Sequence, residues 1–490
     1  KIIGHIIFVI TFFSTLQAKN LDKFNNADRV SDYFSGIILL NENQYNESFR
    51  FLKKLNGLEE SHINYSIKYL YSLANSGNLN EAFSYSKKLE KQKLDSFESN
   101  LIIGVFYLKN SNLKLAKKYF LKAKNKNSRL ILNNYVSNSL YNWSNLKSMD
   151  INYATLELEK LNKRFENLKK IQSVFLNCYY NSPNTNALFI ELNSNMKTDF
   201  SRYNYFHASY ATSFGKIDEA KNIVQAALKL YPRNLLLNQY KIDLNETNNK
   251  DVFDCKKEKH VVAEILYITA NALSSQSLYS LSNFYLNLAK FLNEDFHSFD
   301  TLLAENFYKT GNFENAKKIY QNLSKRGEAF KWYSTKQLAK IFLKEEKKEE
   351  AIKLTSNAYE ELINKEVYET FDYAEFLKNN EKFEEAISYY TKVLNDIKIE
   401  HPLYSEITDG RGVAYERIGK WNSAEKDLLA SLKANPNQAY VINYLAYSWI
   451  EKGIKIEKSL DMLEKANKLK SNDPFIIDSL GWALFKLERY

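Results

Sequence analysis

The residues able to do chemistry are few and scattered. Six histidines stand at His5, His62, His207, His260, His297 and His401, and none is at ligand spacing from another. A zinc site needs clustered histidine, cysteine or carboxylate donors, which this distribution does not supply. No Gly-rich phosphate loop, G-x-S-x-G elbow or Cys-x-x-Cys occurs in the chain. The acid pairs Glu349–Glu350 and Glu384–Glu385 are the nearest approach to a general acid/base couple. Each opens a predicted helix, however, where negative charge complements the helix dipole. No catalytic, cofactor-binding or metal-binding residue is assigned, so the chain reads as non-enzymatic, with no cofactor.

Charge narrows the partners. The formal net charge is +10, but the cations are mostly lysines interleaved with Glu and Asn, as in "LKEEKKEEAIK". Nucleic-acid readers gather Arg and Lys on one stripe, so this pattern describes a solvated surface with no nucleic-acid partner. Cys178 and Cys255 are the only cysteines, too few for a disulfide framework. An exported protein could join them, but 77 residues separate them, too far to meet in an extended array. Two buried free thiols are therefore expected.

The elements that would position any site are helices. Only 13 Gly and 5 Pro in 490 residues leave little punctuation for strands and tight turns. Small residues recur in similar surroundings at Ser48, Ala82, Ala116, Ala154, Ala187, Ala220, Ser282, Ala316, Ala351, Ala386, Ala424 and Ser459. Most steps lie near 34 residues; the one of 62 leaves room for a degenerate repeat between Leu235 and His260. Twelve places before eight of these anchors stands a second small residue, Gly36, Gly104, Ala208, Ala270, Ala304, Ala339, Ala374 or Gly412. Ala446 makes a ninth if one residue is inserted in "EKGIKIEKS". Small residues at both places let two helices approach closely. Gly77, Gly215, Gly311 and Gly419 fall at the turn between them, where a left-handed residue is favoured. The predicted fold is all-α, an α-solenoid of antiparallel helix pairs wound as a right-handed superhelix, each repeat touching only its neighbours.

The stretch "GRGVAYERIGKWNSAEKDLLASLKANPN" resembles a tetratricopeptide (TPR) repeat. With "AEILYITANAL", "TLLAENFYKTGNFENAKKIY", "FHASYATSFGKIDEAK", "NYLAYSWIEKG" and "DSLGW", the chain resembles a family of exported tetratricopeptide-repeat proteins of alphaproteobacteria. That resemblance implies a helical interaction protein of the cell envelope. The opening "KIIGHIIFVITFFSTLQAKN" is consistent with it: a short apolar run followed by Leu16-Gln17-Ala18 reads as a signal peptide over 1–18. Retention as an anchor stays open. The expected organisation continues with N-terminal TPR repeats over 19–134 and divergent helical repeats over 135–200. A TPR repeat over 201–234, a degenerate segment over 235–262 and a C-terminal array over 263–490 complete it, the last repeat being cut short.

First helices should line the concave face. At the C-terminal end they offer Asp409, Arg417, Asn443, Tyr447, Asp478 and Trp482, a mixture of hydrogen-bonding and aromatic groups suited to polypeptide recognition. The alternative is that Tyr447 and Trp482 fill core while the polar groups are merely solvated. The expected function is a periplasmic scaffold or assembly factor binding protein or peptide partners, with no membrane span in the mature chain and peripheral or outer-membrane association left open. The other reading is a regulatory or substrate-docking arm of an envelope enzyme of polysaccharide or glycan synthesis.

Overall fold

The computed structural model describes residues 27–126, 131–195, 198–246 and 252–489, and the leader expected over 1–18 lies outside them. Among the described residues every regular element is a helix and no strand occurs. The chain forms two compact units, one ending at Ser334 and the other beginning at Thr335.

The first unit opens with the pairs α1–α2 (Ala27–Asn41, Tyr45–Lys53), α3–α4 (Ile63–Asn75, Leu79–Lys91) and α5–α6 (Phe97–Lys109, Leu113–Asn125). Next come α7–α8 (Ile131–Trp143, Ile151–Glu159), α9–α10 (Glu166–Tyr179, Thr185–Asn193) and α11–α12 (Tyr203–Thr212, Ile217–Leu230). A lone α13 (Leu235–Asp243) precedes α14–α15 (Glu258–Ser275, Tyr279–Leu292) and α16–α17 (Ser298–Lys309, Phe313–Leu323). The division between units falls within α18 (Glu328–Lys344). The second unit continues with α19 (Lys348–Glu360), α20–α21 (Val367–Asn379, Phe383–Asp396) and α22–α23 (Tyr404–Arg417, Trp421–Ala434). It closes with α24–α25 (Ala439–Glu451, Ile456–Leu469) and α26 (Pro474–Lys486).

Two recurring devices set the pairs. The small anchors are buried, eleven of the twelve at 4% exposure or less. Two of the three serine anchors donate to the carbonyl of the small residue twelve earlier, Ser48 to Gly36 at 2.7 Å and Ser282 to Ala270 at 2.8 Å, whereas Ser459 donates to the Lys455 carbonyl at 3.0 Å. The exception is Ala187, which is exposed; α10 instead buries Thr185, Phe189 and Leu192. The second device is a left-handed residue five places before the anchor. Glycine takes it at Gly77, Gly215, Gly311 and Gly419, but Asn43, Ser111, Ser277, Glu346 and Glu381 adopt it too, with φ between 59° and 67°. In the last complete pair Gly453 is left-handed and so is Lys455, which absorbs the extra residue of "EKGIKIEKS". The acid pairs Glu349–Glu350 and Glu384–Glu385 stand in the first turns of α19 and α21, at the positive end of the helix dipole.

The first unit departs from a neighbours-only array. Helix α15 packs against α3 and α5, and α14 against α5 and α7. Tyr71 of α3 meets Phe284 edge-on at 4.9 Å, and Phe106 of α5 stacks on Phe291 at 5.9 Å. Asn75 donates to the Ser280 carbonyl at 3.0 Å, and Lys109 pairs with Glu294 at 2.7 Å. The reason lies in α15 itself, which has no exposed residue and buries Phe284, Tyr285, Leu286, Leu288 and Leu292 together with Ser282 and Asn283. The array curls until this helix fills the inner face of the early repeats.

The curl also corrects the expectation for the cysteines. Cys178 and Cys255 are joined in a disulfide, with Cα atoms 6.1 Å apart. The degenerate segment supplies one helix, α13, and then a non-helical stretch whose Phe253 packs among Phe175 at 5.3 Å and Phe206 at 4.5 Å. That aromatic anchor lays Cys255 over the end of α9. Nearby, Arg202 binds both carboxylate oxygens of the fully buried Glu264, at 2.7 and 2.9 Å, and lies 4.0 Å over the Tyr267 ring.

Candidate protein-binding groove

In the second unit the substantial packing joins helices no more than two places apart, as a linear array requires. Three successive first helices, α22, α24 and α26, occupy equivalent places in this array. Taking the small residues Gly412, Ala446 and Gly481 as a common origin, the residues three before are Asp409, Asn443 and Asp478. The residues one after are Val413, Tyr447 and Trp482. Positions four apart share a helix face, so these form two parallel rows across the repeats.

Asp409 is half-buried, and its carboxyl is pushed up to about 6 by burial, helped by Glu375 and Glu406 and opposed by Lys378. Asn443 is half-buried, and its Oδ1 has no hydrogen-bond partner. Asp478 is exposed and has no hydrogen bond or ion pair among the described residues. Arg417 is exposed at the end of α22, 3.8 Å from Glu416. The ring of Tyr447 is 38% exposed, so it is not core. Trp482 does both jobs: it packs on the edge of the cluster formed by Ala446, Ile450, Leu460, Leu463 and Ala483 while remaining partly open. Its indole N–H donates to Glu451 at 2.6 Å, and its ring stacks on Phe485 at 5.3 Å.

Several groups that hold this face were not singled out in the sequence. Tyr444 donates to Glu416 at 2.9 Å, tying α24 to α22. Arg411 grips Asp427 through two bonds of 2.7 and 2.9 Å and also donates to Thr391 at 2.9 Å. Phe475, 73% exposed, extends the aromatic surface of α26. Phe475 and Tyr440 share a repeat position six before the small residue, a spacing that the sequence already carried.

Among the described residues no group of three or more His, Cys, Asp or Glu is placed to hold a metal ion, and no helix is long and apolar enough to cross a membrane.

No protein-family model matches the chain. A TPR repeat-containing protein of Pseudomonas aeruginosa is 27% identical over 113 residues, covering 23% of this chain and 18% of that protein. The fold is a tetratricopeptide-repeat α-solenoid. Solved structures similar to the solenoid include the APC/C hetero-tetramer Cut9–Hcn1, at 14% identity and TM-score 0.36 over 96% of this chain and 99% of that one. Yeast Tom70 is similar at 13% identity and TM-score 0.36, over 96% of both chains. In the first unit α15 packs against the first helices α3 and α5, whereas in the second unit Tyr447 and Asp478 are exposed.

Proposed function

We propose that the chain is a non-catalytic protein-interaction scaffold or assembly factor of the bacterial cell envelope, and that it captures polypeptide segments on the inner face of its second unit. The observation that carries this reading is the contrast between the units. Tyr71, Leu101 and Val105, counterparts in the first unit of the groove rows, are covered, while Tyr447 and Asp478 are exposed and Trp482, Asn443 and Asp409 partly so. A rigid array with exposed aromatic rings loses little freedom on binding. Export is supported by the signal-like start and by the Cys178–Cys255 bond, since structural disulfides persist in oxidising compartments.

The test is capture of envelope proteins by the full chain carrying Tyr447→Ala and Trp482→Ala, with melting temperature measured beside it. Ring burial at an interface hot spot is worth ~2 kcal/mol or more, so capture should weaken tens-fold for Tyr447→Ala with little change in melting. Trp482→Ala should lower both. Undiminished capture by the folded double variant removes the groove from the function, and a cytoplasmic, unprocessed chain removes the envelope.

A further inference from the structure

We infer that the polypeptide taken by this groove is cationic, its Lys or Arg side chains docking along the ladder Asp409–Asn443–Asp478. The inference rests on the groove reading and specifies its partner. The chain as a whole carries +10, yet this face runs the other way. Six carboxylates stand on or beside the three first helices: Glu375, Glu406, Asp409, Glu416, Glu451 and Asp478. Lys378, Arg411, Arg417 and Lys486 accompany them, but Lys378 is already bound to Glu375 at 2.8 Å and Arg411 to Asp427 at 2.7 and 2.9 Å.

Several of these carboxylates are occupied. Glu375 also accepts from the Tyr390 hydroxyl, Glu416 from Tyr444 at 2.9 Å, and Glu451 from Trp482 at 2.6 Å. Glu406, Asp409 and Asp478 have no hydrogen bond or ion pair among the described residues, and the buried Asn443 Oδ1 is likewise unmet. What the surface leaves open is thus a row of acceptors, which asks its ligand for donors. A phosphate-bearing or acidic segment would face the same row at a repulsive cost.

The second row fits the same ligand. Tyr447 and Trp482 stand one turn further along the helices, so an ammonium or guanidinium held by the ladder passes over or beside an aromatic face. The surface already shows this contact with its own cation, Lys486 lying 4.7 Å over the Trp482 ring. Packed helices lie roughly 10 Å apart, and a polyproline-type segment advances about 9 Å per three residues. A basic residue at every third place of an extended segment would therefore meet one rung each.

The experiment uses the full chain and three acetylated, amidated nine-residue peptides that differ only in Lys, Gln or Glu at every third position. Binding is measured by titration calorimetry at low and moderate salt. The Lys peptide should bind at least ten-fold tighter than the Gln peptide, and the Glu peptide should not bind. Asp409→Asn combined with Asp478→Asn should erase the ten-fold preference while the protein stays folded. Glu464→Gln with Asp461→Asn, on α25 away from the ladder, should leave it intact. Equal binding of Lys and Gln peptides overturns the cationic specificity but leaves the groove reading standing, as judged by Tyr447→Ala. Equal loss in the α25 control, or no binding of any peptide, overturns the ladder outright.

Discussion

Asn283 donates from Nδ2 to the hydroxyl of Tyr45 at 2.9 Å, across 238 residues of sequence. The Tyr45 hydroxyl in turn donates to Asn43 Oδ1 at 2.5 Å, and Asn312 donates to the Asn43 carbonyl at 3.1 Å. All three bonds join the turn and second helix of the first pair to one another or to helices α15 and α17. The first unit is therefore closed by contacts between its ends, and the second is not.

Closure predicts different cooperativity. Deleting residues 27–91 uncovers the inner face of α15, whose Phe284 is fully buried. Amide exchange in α15 should then rise to the level of frayed helices, although the deletion lies nearly two hundred residues away. Deleting residues 456–489 should leave exchange in α20–α22 unchanged, because neighbours alone support them. Persistent protection of α15 in the first truncation would count against closure.

A second prediction concerns the disulfide. Closing a loop of 77 residues stabilises by about 4.5 kcal/mol in the chain-entropy treatment, whereas disulfides typically contribute about 2–4. Reduction, or Cys255→Ser, should lower the melting temperature of the first unit and leave the second where it was. Because Phe253 holds the same stretch, helical circular dichroism at 25 °C should change little. Equal melting of the reduced and oxidised protein would show that the bond contributes nothing.

The sequence carried the repeat and missed the closure, for a physical reason. Small residues at fixed spacing report local helix pairing, and they located eleven of the twelve anchors correctly. Ala187 failed because a small residue is also common on solvated faces. Contacts such as Asn283–Tyr45 or Cys178–Cys255 depend on the accumulated rotation of many repeats, which no local pattern records. The density of large apolar residues in α15, from Leu281 to Leu292, was the available clue. For the groove, repeat position marked Asp409, Asn443, Asp478, Tyr447 and Trp482, but it could not tell core from surface at a ring such as Trp482, which serves as both.

The buried titratable groups predict opposite responses to acid. Burial pushes His207 down to about 4, with Glu219 opposing. Burial also pushes His260 down to about 4, with Lys257 and Lys259 adding to it and Asp254 and Asp295 opposing. His260 Nδ1 accepts the Asp254 N–H at 3.0 Å, which requires the neutral ring. The unfolded chain therefore binds more protons below its ordinary histidine range, and the first unit loses stability as pH falls from about 6.5 to 4. Asp409 has the other sign: its folded value near 6 is raised, so protonation between about 6 and 4 favours the fold. Asp409→Asn should stabilise the second unit by about 1–2 kcal/mol at pH 7.5, after allowance for solvent screening, with the gain shrinking to about a third of that at pH 4.5 and vanishing below about pH 3.5. A variant that destabilises at both values would contradict the burial argument.

The last prediction separates two kinds of glycine. At Gly104 a Cβ would lie 2.4 Å from a ring atom of Phe120, itself fully buried, so Gly104→Ala must displace the ring. Overpacking of this kind costs about 1–3 kcal/mol. Gly419 has open space around it but a φ of +76°, so its replacement meets backbone strain and no clash. Gly419→Ala should cost about 1 kcal/mol, and Gly419→Asn less, since Asn43 already holds the equivalent turn at φ 60°. Phe120→Leu makes room beside residue 104, so the pair Gly104→Ala with Phe120→Leu should be more stable than the sum of the single costs predicts. Urea midpoints of the single and double variants give that coupling directly. Strict additivity would mean that the helices of α5–α6 separate to accept the methyl group, and that the small residue does not set their distance.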